Sequence, residues 1–244
     1  MRKVRGAKIA MIFQDPMTSL NPVFTVANLM KETLKAHEKI TSEEALKKAE
    51  KILSDVEIDK KFLFSYPHQL SGGMRQRVMI ALALCCNPAV LIADEPTTAL
   101  DLTTQKQILD LLKKLQKQKN LSILFITHNL AIVNDIAHKV LVLYGGRKVE
   151  TAQKEALFNN PAHPYAKGLL SSLATLQTSG DRLPAIEGAP PAAGQIFEGC
   201  SFAERCKFAT EKCFRTQPPF IKVSEDHFSL CFFTSRAEGA HAVR

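Results

Sequence analysis

Two acidic residues close a short apolar run, Val90-Leu91-Ile92-Ala93-Asp94-Glu95. A carboxylate pair at the end of a buried parallel strand sits where α/β sheets place their ligands. Asp94 is suited to holding Mg²⁺, directly or through water, and Glu95 to polarising an attacking water. Upstream, Ser71-Gly72-Gly73 opens a helical stretch whose apolar face is Val78, Leu82 and Cys85. The free N–H groups of a helix start attract phosphate, and glycine lets it approach closely. Each segment alone also fits a plain helix cap or a solvated strand end. His128 ends a later apolar run, where an imidazole could touch a terminal phosphate and sense its loss.

A second set of chemically able residues lies near the other end. Cys200, Cys206, Cys213 and Cys231 are separated by five, six and seventeen residues. Clustered cysteines in a chain without secretory features suggest metal ligation more than disulfides. Four thiolates could hold an iron–sulfur cluster or a tetrahedral zinc. The short spacers exceed the two to four residues of a common zinc knuckle, which favours iron–sulfur, with zinc or unliganded thiols as the alternatives. Cys85 and Cys86 lie in an apolar helical stretch and read as small core residues.

These groups need elements to position them. Lys8 to Phe13, Ala89 to Ala93, Ser122 to Thr127 and Lys139 to Tyr144 are short, apolar and non-alternating, the pattern of strands buried on both faces. Helical segments intervene, including Thr103 to Lys119 and a mostly helical region from Val26 to Val56. Within that region Thr41-Ser42-Glu43-Glu44 predicts a capping box, followed by an apolar face of Ala45, Leu46, Ala49, Ile52, Leu53 and Val56. Alternation of strands and helices predicts an α/β layer structure with a mainly parallel sheet. Gly145-Gly146 then turns the chain.

The sequence predicts three regions. Residues 1–150 form the α/β part, with a helical subdomain near 26–80; 151–198 hold a helix and a Pro/Gly-rich linker; 199–244 form a cysteine-bearing extension too small to fold on a core alone. No apolar run is long enough to span a bilayer, and no apolar signal core follows the basic N-terminus. The net charge of +8 admits polyanion binding, but patches such as Lys113 to Lys119 fit the solvated face of a helix.

Taken together, the segments resemble the ATP-binding cassette (ABC) family. Leu70 to Gln76 is similar to its signature, Leu91 to Glu95 to its Walker B strand, Thr98 to Asp101 to its D-loop, His128 to its switch histidine and Gln14 to its Q-loop glutamine. Gln14-Asp15-Pro16-Met17-Thr18-Ser19-Leu20-Asn21-Pro22 and Asn160-Pro161-Ala162-His163-Pro164-Tyr165 resemble the dipeptide, oligopeptide and nickel importers. The resemblance implies ATP and Mg²⁺ as cofactors, Glu95 and His128 as catalytic residues, and Gln14, Ser71, Gly72, Gly73, Gln76, Asp94 and Asp101 as nucleotide-binding residues. Related importers carry a similar cysteine cluster. It also implies a second ATPase subunit paired head to tail, permease subunits, an indirect substrate-binding protein, a place on the cytoplasmic face of the membrane, and no nucleic-acid partner. One element is missing: no Gly-x-x-x-x-Gly-Lys-[Ser/Thr] phosphate loop occurs in these 244 residues. The expectation is therefore a P-loop NTPase core without its N-terminal part, a truncated product or a catalytically silent half-site that lends its signature to a partner.

Overall fold

The computed structural model describes residues 1, 3–14, 19–175, 186–192 and 194–234. The chain divides into two compact units, Met1–His128 and Asn129–Arg244.

In the first unit, β1 (Ile9–Ile12), β2 (Val90–Asp94) and β3 (Ser122–Ile126) form a parallel sheet in that order. Ala10 pairs with Leu91, and Leu91 with Ile123. Four helices accompany the sheet: α1 (Val26–His37), α2 (Ser42–Asp55), α3 (Gly72–Leu84) and α4 (Leu102–Lys119). The Thr41 capping box forms as expected: Thr41 Oγ1 accepts from the Glu44 N–H while Glu44 Oε2 accepts from the Thr41 N–H. This cap starts α2 anew after α1 ends at His37.

The core of this unit gathers Met30, Leu34, Leu53, Ile80, Leu91, Ile108, Leu112 and Leu115. Burying each such side chain contributes roughly 1.5–3 kcal/mol. Cys85 joins it, and burial pushes that thiol up to about 12. The strands differ from expectation in one respect. Ala10, Ile12, Leu91 and Ala93 are buried, whereas Ile9, Met11, Leu124 and Ile126 are exposed. Burial therefore alternates along β1 and β2, because within this unit only one sheet face is covered. Lys114 and Lys119 are tied to Glu57 and Asp55, which makes that basic run a salt-bridged helix face.

The second unit corrects two expectations. Lys139–Tyr144 (β4) does not extend the parallel sheet; it pairs antiparallel with β5 (Arg147–Gln153). Gly145 and Gly146 both have positive φ, 55° and 73°, as a two-residue I′ turn requires. Nor does the cysteine-bearing segment stand apart. Its strands β6 (Ile221–Ser224) and β7 (His227–Ser229) complete a sheet of order β4-β5-β7-β6, with Glu150 opposite Ser229. The hairpin thus belongs with the extension, and the division falls at 128/129 rather than near 150. Helices α5 (Leu130–Ile136), α6 (Lys154–Asn159), α7 (Pro164–Thr175) and α8 (Glu211–Arg215) complete the unit.

Part of the expected linker, 179–185, lies outside the described residues, as do Asp15–Thr18 and 235–244. Both ends of the linker's described part are anchored. Arg205 donates to the carbonyls of Ile186 and Glu187, and Arg147 to those of Phe197 and Gly199.

Candidate functional site

The Glu95 N–H donates to the Ile126 carbonyl at 2.9 Å, fixing the turn after β2 against the end of β3. That bond sets His128, two residues past Ile126, beside the Glu95 side chain. His128 Nδ1 lies 2.6 Å from Glu95 Oε1. On the other carboxylate oxygen, Gln14 Nε2 donates at 3.2 Å and Thr98 Oγ1 at 2.7 Å. The hydrogen bond from His128, then that from Thr98, hold the Glu95 carboxyl below the usual carboxylate range. Glu95 (φ 44°) and Ala99 (φ 64°) adopt the left-handed region. Backbone strain of this kind costs of order 1–3 kcal/mol per residue and gathers at functional turns.

Three of the expected residues, Gln14, Glu95 and His128, thus converge on one carboxylate, each from the end of a different strand of the sheet. Asp94 is the last residue of β2, opposite Ile126. Thr98 completes the set. It lies in the D-loop-like segment, and its spacing of three from Glu95 is the sequence signal for this contact.

Ser71, Gly72 and Gly73 form a separate place. Ser71 Oγ accepts from the Met74 N–H and caps α3. A Cβ on Gly73 would sit 2.7 Å from Thr104 Cγ2, so glycine there lets the start of α3 approach the start of α4. Asp101 caps α4 by accepting from the Thr104 N–H at 2.9 Å and the Thr104 hydroxyl at 2.6 Å. Gln76, expected as a nucleotide-binding residue, faces the interior of this unit. It is 1% exposed within α3, and among the described residues its Nε2 has no partner.

The ABC transporter family matches residues 1–98, and the oligopeptide/dipeptide transporter C-terminal region matches residues 149–213. The chain is 46% identical to the oligopeptide transport ATP-binding protein AppD of Bacillus subtilis, over 98% of this chain and 73% of that protein. The chain belongs to the ABC transporter ATP-binding proteins of the oligopeptide/dipeptide importer type. Identity to OppD of the same organism is 50%, and the chain spans 64% of its length. Among solved structures, a dimeric, post-hydrolysis state of the cassette MJ0796 bound to ADP and Pi matches at a TM-score of 0.56 and 32% identity, over 62% of this chain and 65% of that one. The ABC fold expected from the motifs is thereby shown. Among the described residues no helix of this ABC protein is long and apolar enough to cross a membrane.

The cysteine region of this ABC protein forms one cavity. Cys200, Cys206, Cys213 and Cys231 all line it, together with His163, Phe202 and Phe233. Burial pushes the thiols of Cys200, Cys206 and Cys231 up. The backbone N–H groups of Phe202, Phe208 and Phe233 respectively bond those three sulfurs and act in the opposite direction. Thr210 Oγ1 lies 3.6 Å from Cys213 Sγ. The sequence carries a signal for this arrangement, a Cys-x-Phe tripeptide repeated three times. Among the described residues, no group of three or more His, Cys, Asp or Glu is assembled to hold a metal ion.

A further network joins the regions around it. Glu150, fully buried on β5, accepts from the Ala162 N–H at 2.8 Å and the His163 N–H at 2.7 Å, and its Oε1 lies 2.7 Å from His227 Nε2. One carboxylate thereby fastens the Asn160–Tyr165 motif and β7 to the hairpin. Nothing in the sequence near Glu150 marked it, because its partners lie up to 77 residues away.

Proposed function

We propose that this protein is the ATP-binding subunit of an importer of peptides, with nickel as the lesser alternative, in which Glu95 acts as the base for hydrolysis. The convergence of Gln14, Thr98 and His128 on the Glu95 carboxylate carries this reading. Those contacts keep the carboxylate ionised and oriented, as activation of a water requires. Asp94 would hold Mg²⁺ at the neighbouring strand end, and His128 would follow the γ-phosphate. Ser71 to Gly73 would meet ATP carried by a second ATPase subunit paired head to tail, consistent with the dimeric state of the MJ0796 cassette. Permease subunits and, through them, a substrate-binding protein complete the assembly on the cytoplasmic face of the membrane.

For the cavity lined by the four cysteines we keep the iron–sulfur reading as a proposal, supported by the gathering of Cys200, Cys206, Cys213 and Cys231 around one cavity. Burial holds the thiols of Cys200, Cys206 and Cys231 protonated, and a cationic centre bound among them would favour their thiolates. The N–H donors already present at three sulfurs would stabilise the thiolates once one binds. Cys200, Cys206, Cys213 and Cys231 would hold the cluster, which supplies a one-electron redox centre when bound. Zinc, or free thiols, are the alternatives that metal analysis of the purified chain decides.

The assay that tests the importer reading is ATP hydrolysis by the assembled complex carrying Ser71→Arg. The bulky side chain blocks the phosphate approach on α3, so the rate falls at least tenfold. An unchanged rate removes the in-trans role.

A further inference from the structure

Gly72 and Gly73 open α3 with helical backbone, and neither has the positive φ that would call for glycine. Their neighbours decide what glycine does at each place. A Cβ on Gly72 would lie 3.8 Å from Leu100 Cδ2, an ordinary contact, so the fold itself leaves room for alanine there. A Cβ on Gly73 would lie 2.7 Å from Thr104 Cγ2, against about 3.5–4.0 Å for packed carbons. Within this chain, then, it is the Thr104 methyl group that demands glycine at 73.

Thr104 is itself fixed. Its Oγ1 donates to Asp101 Oδ2 at 2.6 Å, and its N–H to Asp101 Oδ1 at 2.9 Å. The hydroxyl bond, then the N–H bond, hold the Asp101 carboxyl below the usual carboxylate range, so the acceptor is a charged one. With the hydroxyl tied, the β-branched side chain keeps its methyl group in one place, against Gly73. Asp101 in turn lies three residues past Thr98, whose hydroxyl donates to Glu95 at 2.7 Å. One short segment thus carries both the expected base and the stop against which α3 begins.

We propose that Thr104 is a positioning residue for the start of α3: locked by Asp101, its methyl group sets where the amides of Gly72 and Gly73 stand toward ATP on the second ATPase subunit. This inference rests on the in-trans reading of Ser71 to Gly73. Asp101 enters the site through Thr104. A displacement of about 1 Å at such a contact costs on the order of 10²-fold in rate, so a single methyl group has consequences.

The test is ATP hydrolysis by the assembled importer carrying Gly73→Ala, Thr104→Ser or both, with urea denaturation of each chain. Gly73→Ala is expected to lower the rate at least about tenfold, because the added Cβ pushes α3 off Thr104. Thr104→Ser removes the obstructing methyl and keeps the hydroxyl for Asp101, so the double variant is expected to recover to within about threefold of wild type. Thr104→Ser alone is expected to raise KM for ATP about threefold or more, with kcat and the urea midpoint near wild type. A threonine that served stability alone would not give that split. A folded double variant that stays at the Gly73→Ala rate overturns the inference, since the phosphate itself would then demand glycine at 73. An unchanged KM in Thr104→Ser overturns it as well, and this arm decides alone should either alanine-bearing variant fail to fold. Failure of the in-trans reading shows separately, as an unchanged rate in Ser71→Arg.

Discussion

Nδ1 of His128 and Oε1 of Glu95 lie 2.6 Å apart, and the contact depends on a backbone bond one step removed, from the Glu95 N–H to the Ile126 carbonyl. The end of β3 therefore delivers the imidazole, while the strained turn after β2 delivers the carboxylate. A shift in either strand end would part them, which suits a histidine expected to report on what occupies the site.

The same contact governs titration of Glu95. Its carboxyl is held below its ordinary 4.5 by His128, then Thr98. A depressed carboxyl pKa means that the contribution of these contacts is present above 4.5 and is lost as pH falls through the depressed value. Carbon-detected NMR titration should find a midpoint below 4.5 in the wild type, moving upward in His128→Ala and in Thr98→Ala. A midpoint that stays put in both variants would show that neither contact persists in solution.

Gly73→Ala should destabilise the first unit by about 1–3 kcal/mol, the usual cost of overpacking. The new Cβ would lie 2.7 Å from Thr104 Cγ2. Thr104→Ser removes that methyl group and retains a hydroxyl for Asp101, so the double variant should recover most of the loss in urea denaturation. Additive losses in the double variant would place the cause elsewhere.

Glu150→Ala should cost about 3 kcal/mol or more, the penalty for breaking a buried, multiply bonded pair. The loss should be confined to the second unit. Hydrogen exchange should show lost protection along β5 and β7, with the amides of α4 unchanged. Equal loss in both units would mean that the chain unfolds as one block.

On the proposed cluster reading, the wild-type chain purifies with iron and sulfide, and replacing Cys200, Cys206, Cys213 or Cys231 by serine lowers both in each case. Cys86→Ser should leave them unchanged, because Cys86 packs against the core of the first unit and is not among the residues lining the cysteine cavity. Retention of full metal content in any of the four variants would remove that residue as a ligand.

Much of the first unit was legible in the sequence because its signals are local. The Thr41–Glu44 box, the Asp94–Glu95 strand end and the Ser71 cap each lie within a few residues of their partners. What escaped is non-local. An apolar run such as Lys139–Tyr144 reads alike in a parallel sheet and in a hairpin, and only the pair of positive-φ glycines after it selects the hairpin. Glu150 looks like any acid in a polar strand until His227 and the 160–165 turn fold onto it. Gln76 sits in a signature-like segment yet turns inward, because the periodicity of α3 places it on the buried side with Ile80.

The most direct measurement is ATP hydrolysis by the importer assembled with this polypeptide, its partner ATPase and its permease, comparing wild type with Glu95→Gln. Glutamine preserves size and one acceptor but cannot take a proton, and losing a general base typically costs about 10²–10⁴-fold in rate. A fall of that order with ATP binding retained is the expected result. An unchanged rate would contradict Glu95 as the base and leave this chain a silent partner whose signature serves ATP held elsewhere.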